Sequence, residues 1–321
     1  MSALIRVMLS SESARVRPGD RTEITVTVQN FSEIVDRYRI VVEGVEASWV
    51  TLSREEIALF PKDTDQVRIT LQPPAGPQAR ASRYGVSIRV VSQENPSEQS
   101  VLPVSLEVLP VSGLELALSP QRGSGMGEGV FRLQVANRGN ADLTLQFEAS
   151  DPEEGCLYAF EPPRTTLPAG QSGEVKLRLR PKAALASNEP RTYRFTVAAR
   201  PAEDPKQICQ AQGEWVQTPP AFQLSLRPAR VSGGLEGTFS LQVSNVGSAD
   251  LTLQMEARDP EEACLYTFDS AQIAVPAGQE RAVSLRVRSR VPPAGEQPRT
   301  HLFTVTARPL EAPAISRQVQ G

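Results

Sequence analysis

The sequence predicts an all-β chain of three β-sandwich domains in tandem, and three observations carry that prediction. A shift of 108 residues superposes Phe131–Pro201 on Phe239–Pro309 without a gap, and about 40 of those 71 positions are identical. Apolar and polar residues alternate with period two through most of the chain, the mark of strands with one buried and one wet face. Turn-forming Gly, Pro, Asn and Asp recur about every 8 to 12 residues, and no amphipathic helical period of useful length interrupts them.

Length sets the number of units. A chain of 321 residues exceeds what one core of short strands covers, and three modules of about 105 residues fit it best. The 27 prolines and 21 glycines fall in short clusters along the chain, as turns require, and form no single linker tract. The first unit spans 1–110. Val16-Arg-Pro-Gly-Asp20 turns into a strand over Thr22–Gln29 in which Ile24, Val26 and Val28 share the apolar phase. Asn30 follows, then a Leu59-Phe60-Pro61-Lys62-Asp63 turn, strands over Val67–Leu71 and Tyr84–Val90, and a closing strand over Val101–Leu109. Pro110-Val-Ser-Gly113 is the first joint.

The second unit spans 113–216 and the third 221–321. In the second, Phe131, Leu133 and Val135 alternate with Arg132, Gln134 and Ala136, and Val175, Leu177 and Leu179 alternate with Lys176, Arg178 and Arg180. Both copies carry Ala-Asp-Leu-Thr-Leu-Gln from 141 and 249, Asp-Pro-Glu-Glu from 151 and 259, Cys-Leu-Tyr from 156 and 264, and Pro-Ala-Gly-Gln from 168 and 276. Gln217-Thr-Pro-Pro220 is the second joint, and both joints are short enough to limit bending. Asn137 and Asn245 sit where Asn30 sits, two residues after a core-phase valine, so the first unit reads as an older third copy. Strand number, alternation and turn spacing together give the immunoglobulin-like class of sandwich.

Charge and composition narrow the function. Net charge is −3 with no long run of one sign, which points away from nucleic acid and anionic membranes as partners. No apolar run approaches the ~20 residues of a membrane-spanning helix, and Met1–Ser10 reads as a strand and not a secretory leader. The expectation is a soluble, cytoplasmic protein. Cys156, Cys209 and Cys264 are an odd, sparse set, which favours reduced thiols, with a Cys156–Cys209 pair inside the second unit as the alternative.

Each candidate site has a structural and a chemical reading. Asp151 and Asp259 open Asp-Pro-Glu-Glu, which reads as a short helical turn with Asp as the cap, Pro at the first position and the second Glu reaching back; weak Ca²⁺ binding is the alternative. Asn30, Asn137 and Asn245 read as turn formers that bond local backbone. Trp49 and Trp215 are candidate partner contacts, with core packing the favoured alternative. His301, the only histidine, takes the slot of Tyr84 and Tyr193 at the start of a strand, where a corner tyrosine bonds backbone. Arg122-Gly-Ser-Gly-Met-Gly-Glu-Gly129 lacks the Gly-Lys-Ser/Thr ending of a phosphate loop and reads as a flexible hairpin, matched by Gly233–Gly237. No nucleophile–base pair and no metal-ligand spacing is present, so neither enzymatic activity nor a cofactor, metal or small-molecule substrate is expected.

A strand ending in Val-x-Asn, the Asp-Pro-Glu-Glu turn, the Phe160 or Trp49 step, the Pro-x-Gly turn and the strand opened by Tyr84 or Tyr193 together resemble a known group. They are similar to the bacterial immunoglobulin-like repeats of the NEW-type or alpha-galactosidase-associated kind, related to hydin-type sandwiches. The resemblance covers nearly the whole chain, and the first unit departs from it by lacking Asp-Pro-Glu-Glu. The Asn-x-Gly and Asp-Pro-Glu-Glu repeats also resemble those of tandem immunoglobulin-like proteins encoded beside contractile, phage-tail-like injection particles. That likeness implies a non-catalytic structural, scaffold or decorating subunit that binds other proteins in a larger assembly. A carbohydrate- or surface-binding adhesion module is the alternative, weakened by only 17 aromatic residues, many in core phase.

Overall fold

A computed structural model describes residues 4–290 and 299–321. The first sandwich runs β1 (Ile5–Leu9), β2 (Ser13–Val16), β3 (Thr22–Asn30), β4 (Asp36–Glu43), β5 (Val50–Leu52), β6 (Glu56–Leu59), β7 (Thr64–Leu71), β8 (Ser82–Ser92) and β9 (Gln99–Val108). The second runs β10 (Leu114–Ser119), β11 (Arg122–Gly125), β12 (Gly129–Asn137), β13 (Leu143–Ser150), β14 (Cys156–Glu161), β15 (Arg164–Leu167), β16 (Ser172–Pro181), β17 (Arg191–Pro201) and β18 (Cys209–Gln217). The third runs β19 (Phe222–Arg227), β20 (Glu236–Asn245), β21 (Leu251–Arg258), β22 (Cys264–Phe268), β23 (Gln272–Val275), β24 (Glu280–Ser289), β25 (Thr304–Pro309) and β26 (Arg317–Gln320).

Six sheets form, two to a sandwich. The first sandwich pairs β1-β3-β7-β5 with β2-β9-β8-β4-β6, and the second repeats that order as β10-β12-β16-β14 and β11-β18-β17-β13-β15. The diverged first unit therefore keeps the strand order of the second. In the third, the sheets are β19-β20-β24-β22 and β23-β21-β25-β26.

Alternation decides which face each strand buries. Ile24, Val26 and Val28 of β3 and Val67, Ile69 and Leu71 of β7 are all at most 1% exposed, and their odd-phase neighbours face outward. Leu133, Val135, Leu177 and Leu179 do the same in the second sandwich, and Leu241, Val243 and Leu285 in the third. Each sandwich has its own apolar cluster. A slip of one residue in any of these strands would turn the whole apolar set to solvent, so burial fixes the register.

One expectation is corrected here. The glycine-rich segment is no flexible hairpin: Arg122–Gly125 forms β11 and pairs in parallel with Glu214–Gln217 of β18, as Ser13–Val16 pairs with Ser105–Val108. Its glycines serve packing. A Cβ at Gly123, Gly125 or Gly129 would meet the Trp215 ring at 3.1, 2.9 and 2.6 Å. Ordinary side chains would lift this edge off the indole.

Candidate functional site

Every sandwich ends on the same asparagine-bound turn. Asn30 Nδ2 donates to the carbonyls of Ile34 (2.9 Å) and Leu59 (3.1 Å), and its Oδ1 accepts from the Ser32 amide. Asn137 repeats this with Ala141, Leu167 and Gly139, and Asn245 with Ala249, Val275 and Gly247. All three asparagines are buried, and each joins the end of one strand to the start of the next. The adjoining backbone bond recurs too: the amides of Phe31, Arg138 and Val246 donate to the carbonyls of Leu4, Gly113 and Ala221.

Because the backbone is shared, the side chains it carries can be compared position by position. Leu4, Phe31, Ile34, Val35 and Phe60 crowd this tip in the first sandwich, each between 41% and 66% exposed. The matched residues are Gly113, Arg138, Ala141, Asp142 and Pro168 in the second sandwich, and Ala221, Val246, Ala249, Asp250 and Pro276 in the third. The turn carries no exposed large apolar group in the second copy and one, Val246, in the third. Five of them on one wet tip therefore have no folding role, and contiguous exposed apolar surface of this kind marks a contact site.

Polar groups surround the patch. Asp36 lies buried at its base, accepting from Ser92 Oγ at 2.6 Å and from the Glu94 amide at 3.4 Å. Burial and the adjacent Asp36 raise the pKa of Tyr38 well above its ordinary value, so this phenol stays neutral. A small cleft opens above them between Leu4, Ile5, Ile34, Glu94 and Glu98. Glu33, Asp63, Glu94 and Glu98 stand around the tip, and among the described residues none of the four has an ion pair.

The other residues singled out by sequence lie elsewhere. Asp151 and Asp259 do form turns, but without a helix: Glu154 and Glu262 take left-handed backbone (φ 50° and 51°), which ends any helical path. The Asp151 carboxylate instead accepts from the amides of Gly155 (2.7 Å) and Cys156 (3.2 Å) and from the Tyr158 hydroxyl (2.8 Å). Asp259 holds Ala263, Cys264 and Tyr266 in the same way; Glu153 and Glu261 pair with Arg191 and Arg299, and the second Glu of each turn, Glu154 or Glu262, bonds back to the Asp carbonyl through its amide and not through its side chain. Trp49 and Trp215, each 4% exposed, are core residues and offer no partner surface; Trp49 meets Tyr84 edge to face and Trp215 meets Phe131.

Tyr84 donates to the Arg80 carbonyl as a corner tyrosine, Tyr193 donates to Gln217 Oε1, and His301 Nε2 lies 3.5 Å from Ser289 Oγ. The three cysteines are free thiols, and Cys209 donates to the Leu114 carbonyl.

Sequence reasoning also missed Asn140, which fastens the first sandwich to the second. Its Nδ2 donates to Ala79 (2.8 Å) and Leu109 (3.1 Å), its Oδ1 accepts from the Val111 amide (2.7 Å), and its own carbonyl accepts from the Ala81 amide. Arg80 adds a 2.9 Å ion pair to Asp142. The tip of the second sandwich is thus filled by the loop after β7, while among the described residues no loop covers the same tip of the first. The second joint is apolar instead, with Leu185 against Ala312 and Ile315.

No protein-family model matches the chain, and no curated protein matches it either. Among solved structures, the Escherichia coli adhesin FdeC aligns at 9% identity over 99% of this chain and 96% of its own, with a TM-score of 0.34. The Yersinia pseudotuberculosis adhesin InvE aligns at 10% identity over 66% and 58%, with a TM-score of 0.33. A Porphyromonas gingivalis protein of unknown function aligns at 15% identity over 65% and 98%, with a TM-score of 0.27. Likeness this distant carries no functional argument.

Proposed function

We propose that this chain is a non-catalytic protein-binding subunit that contacts its partner through the tip of the first sandwich. The observation that carries the reading is the replacement, on an otherwise shared turn, of Gly, Arg, Ala, Asp and Pro by Leu4, Phe31, Ile34, Val35 and Phe60. Apolar groups held in water by a rigid turn favour association, because covering them releases hydration at about 25 cal/mol per Å². The duplicated second and third sandwiches then act as spacers. The repeat markers described above support a finer reading, in which the chain decorates a contractile, phage-tail-like particle assembled in the cytoplasm, with 1–110, 113–216 and 221–321 as its folding units.

A test exploits the copies. Phe31→Arg, Ile34→Ala and Phe60→Pro install residues that the same turn carries in the second sandwich, so the variant should fold with an unchanged circular dichroism spectrum. Affinity capture from the native host should recover a defined partner with the parent chain and lose it with the triple variant. Equal recovery by both would sink the proposal.

A further inference from the structure

We infer that the occupant of this tip is a loop or extended segment of another protein that presents apolar side chains flanked by lysine or arginine. The inference rests on the docking role proposed above and adds the chemistry of what docks.

Charge is the first support. Glu33, Asp63, Glu94 and Glu98 surround the exposed Leu4, Phe31, Ile34 and Phe60, against two nearby cations, Lys62 and Arg37, the second bonded through its carbonyl to the Gln93 amide. Some carboxylates on the outer faces are neutralised locally, as Glu128 and Glu161 are by Arg178, Glu107 by Arg15, Glu43 by Arg89 and Glu256 by Arg308. At the tip that local pairing is missing among the described residues. Unneutralised carboxylates around an apolar patch attract a cationic partner and steer its approach. They repel phosphate, which argues against nucleic acid and anionic bilayers as the occupant.

The second support is a filled example within the molecule. At the matched tip of the second sandwich the occupant is a loop, Pro73–Ala81, held through its backbone by Asn140 and through Arg80 by Asp142. Asp142 stands where Val35 stands in the first sandwich. The tip geometry accommodates a loop that brings one cation to an acid. The first sandwich has Val35 in place of that acid and carries its acids at other positions, Glu33, Glu94 and Glu98, beside apolar groups that the intramolecular joint lacks.

Display of random twelve-residue peptides on the full chain, with counter-selection on the Phe31→Arg, Ile34→Ala, Phe60→Pro variant, tests this. Enriched peptides should combine apolar residues with Lys or Arg. A synthetic peptide from that set should lose about tenfold in affinity to a Glu33→Gln, Glu94→Gln, Glu98→Gln chain, three surface pairs' worth, and should weaken with added salt. Enrichment of acidic or charge-indifferent peptides would overturn the partner chemistry while leaving the docking role standing. If no enrichment depends on the tip residues, the docking role itself fails. Concentration-dependent self-association in sedimentation that the tip variant abolishes would make a second copy the occupant and also overturn the inference.

Discussion

Asp151 shows how one buried acid can organise a loop. Burial alone would raise its pKa, yet the Gly155 and Cys156 amides and the Tyr158 hydroxyl overcome that cost and hold the carboxyl below its usual value. Asp259 has the same balance. A depressed folded pKa means that the carboxylate stabilises the fold above the unfolded value near 4, and that this stability drains away as pH falls through the folded value. Asp151→Asn should therefore cost roughly 1–3 kcal/mol in urea unfolding at neutral pH, because an amide matches fewer of the donors aimed at it. The gap between parent and variant should close in acid; a constant gap down to about pH 3 would show that the charge is irrelevant. The neighbouring Cys156 thiol is pushed up to about 11, chiefly by burial and then by Asp151, so it stays protonated and unreactive at neutral pH.

Among the elements, β11 and the start of β12 are the ones whose glycines decide their geometry. Gly129→Ala would drive a methyl to 2.6 Å from the Trp215 ring, and a repacked indole should cost about 1–3 kcal/mol and shift tryptophan emission. Gly127, with nothing within 4 Å of its added Cβ, is the control: Gly127→Ala should leave both signals in place. Equal losses from the two substitutions would remove the packing explanation. The strands around β11 were legible because Val, Leu and Ile alternate through them, as in Phe131–Val135 and Val175–Leu179. Arg122–Gly125 has no alternation to read, since its burial is supplied by the ring beneath it. The tip escaped for a different reason. Phe31 and Phe60 look like any apolar residue at a strand end until their positions are matched to Arg138 and Pro168, and that match needs the backbone bonds from Phe31 to Leu4 and from Asn30 to Leu59. The role of Asn140 depends on a loop 60 residues earlier, beyond any local pattern.

At the scale of the whole molecule the two joints differ in kind. Hydrogen bonds from a buried asparagine hold the first, and three apolar side chains mark the second. Asn140→Ser installs the residue found at the matched position, Ser248, and removes the Nδ2 bonds across the joint. Limited proteolysis should then cut near Val111–Gly113 several times faster, since local opening governs cleavage there. An unchanged rate would mean that the Arg80–Asp142 pair and the Pro77–Gly170 contact suffice.

The likeness of the second and third sandwiches also bears on how the chain reaches its native pairing. Two adjacent units whose strand orders match except for the β11 position, and whose strand text is largely shared, can exchange strands during synthesis or refolding, a characteristic hazard of repeat proteins. Most of their core cannot tell self from neighbour, because Leu-Gln-Val and Phe-Thr-Val occur in both. The socket of Gly123, Gly125 and Gly129 around Trp215 can. The third sandwich has Val231 where Gly123 stands. A strand exchanged between the duplicates would place Val231 under the ring. The glycine cradle thus doubles as a proofreading contact, rewarding the second sandwich for keeping its own strands.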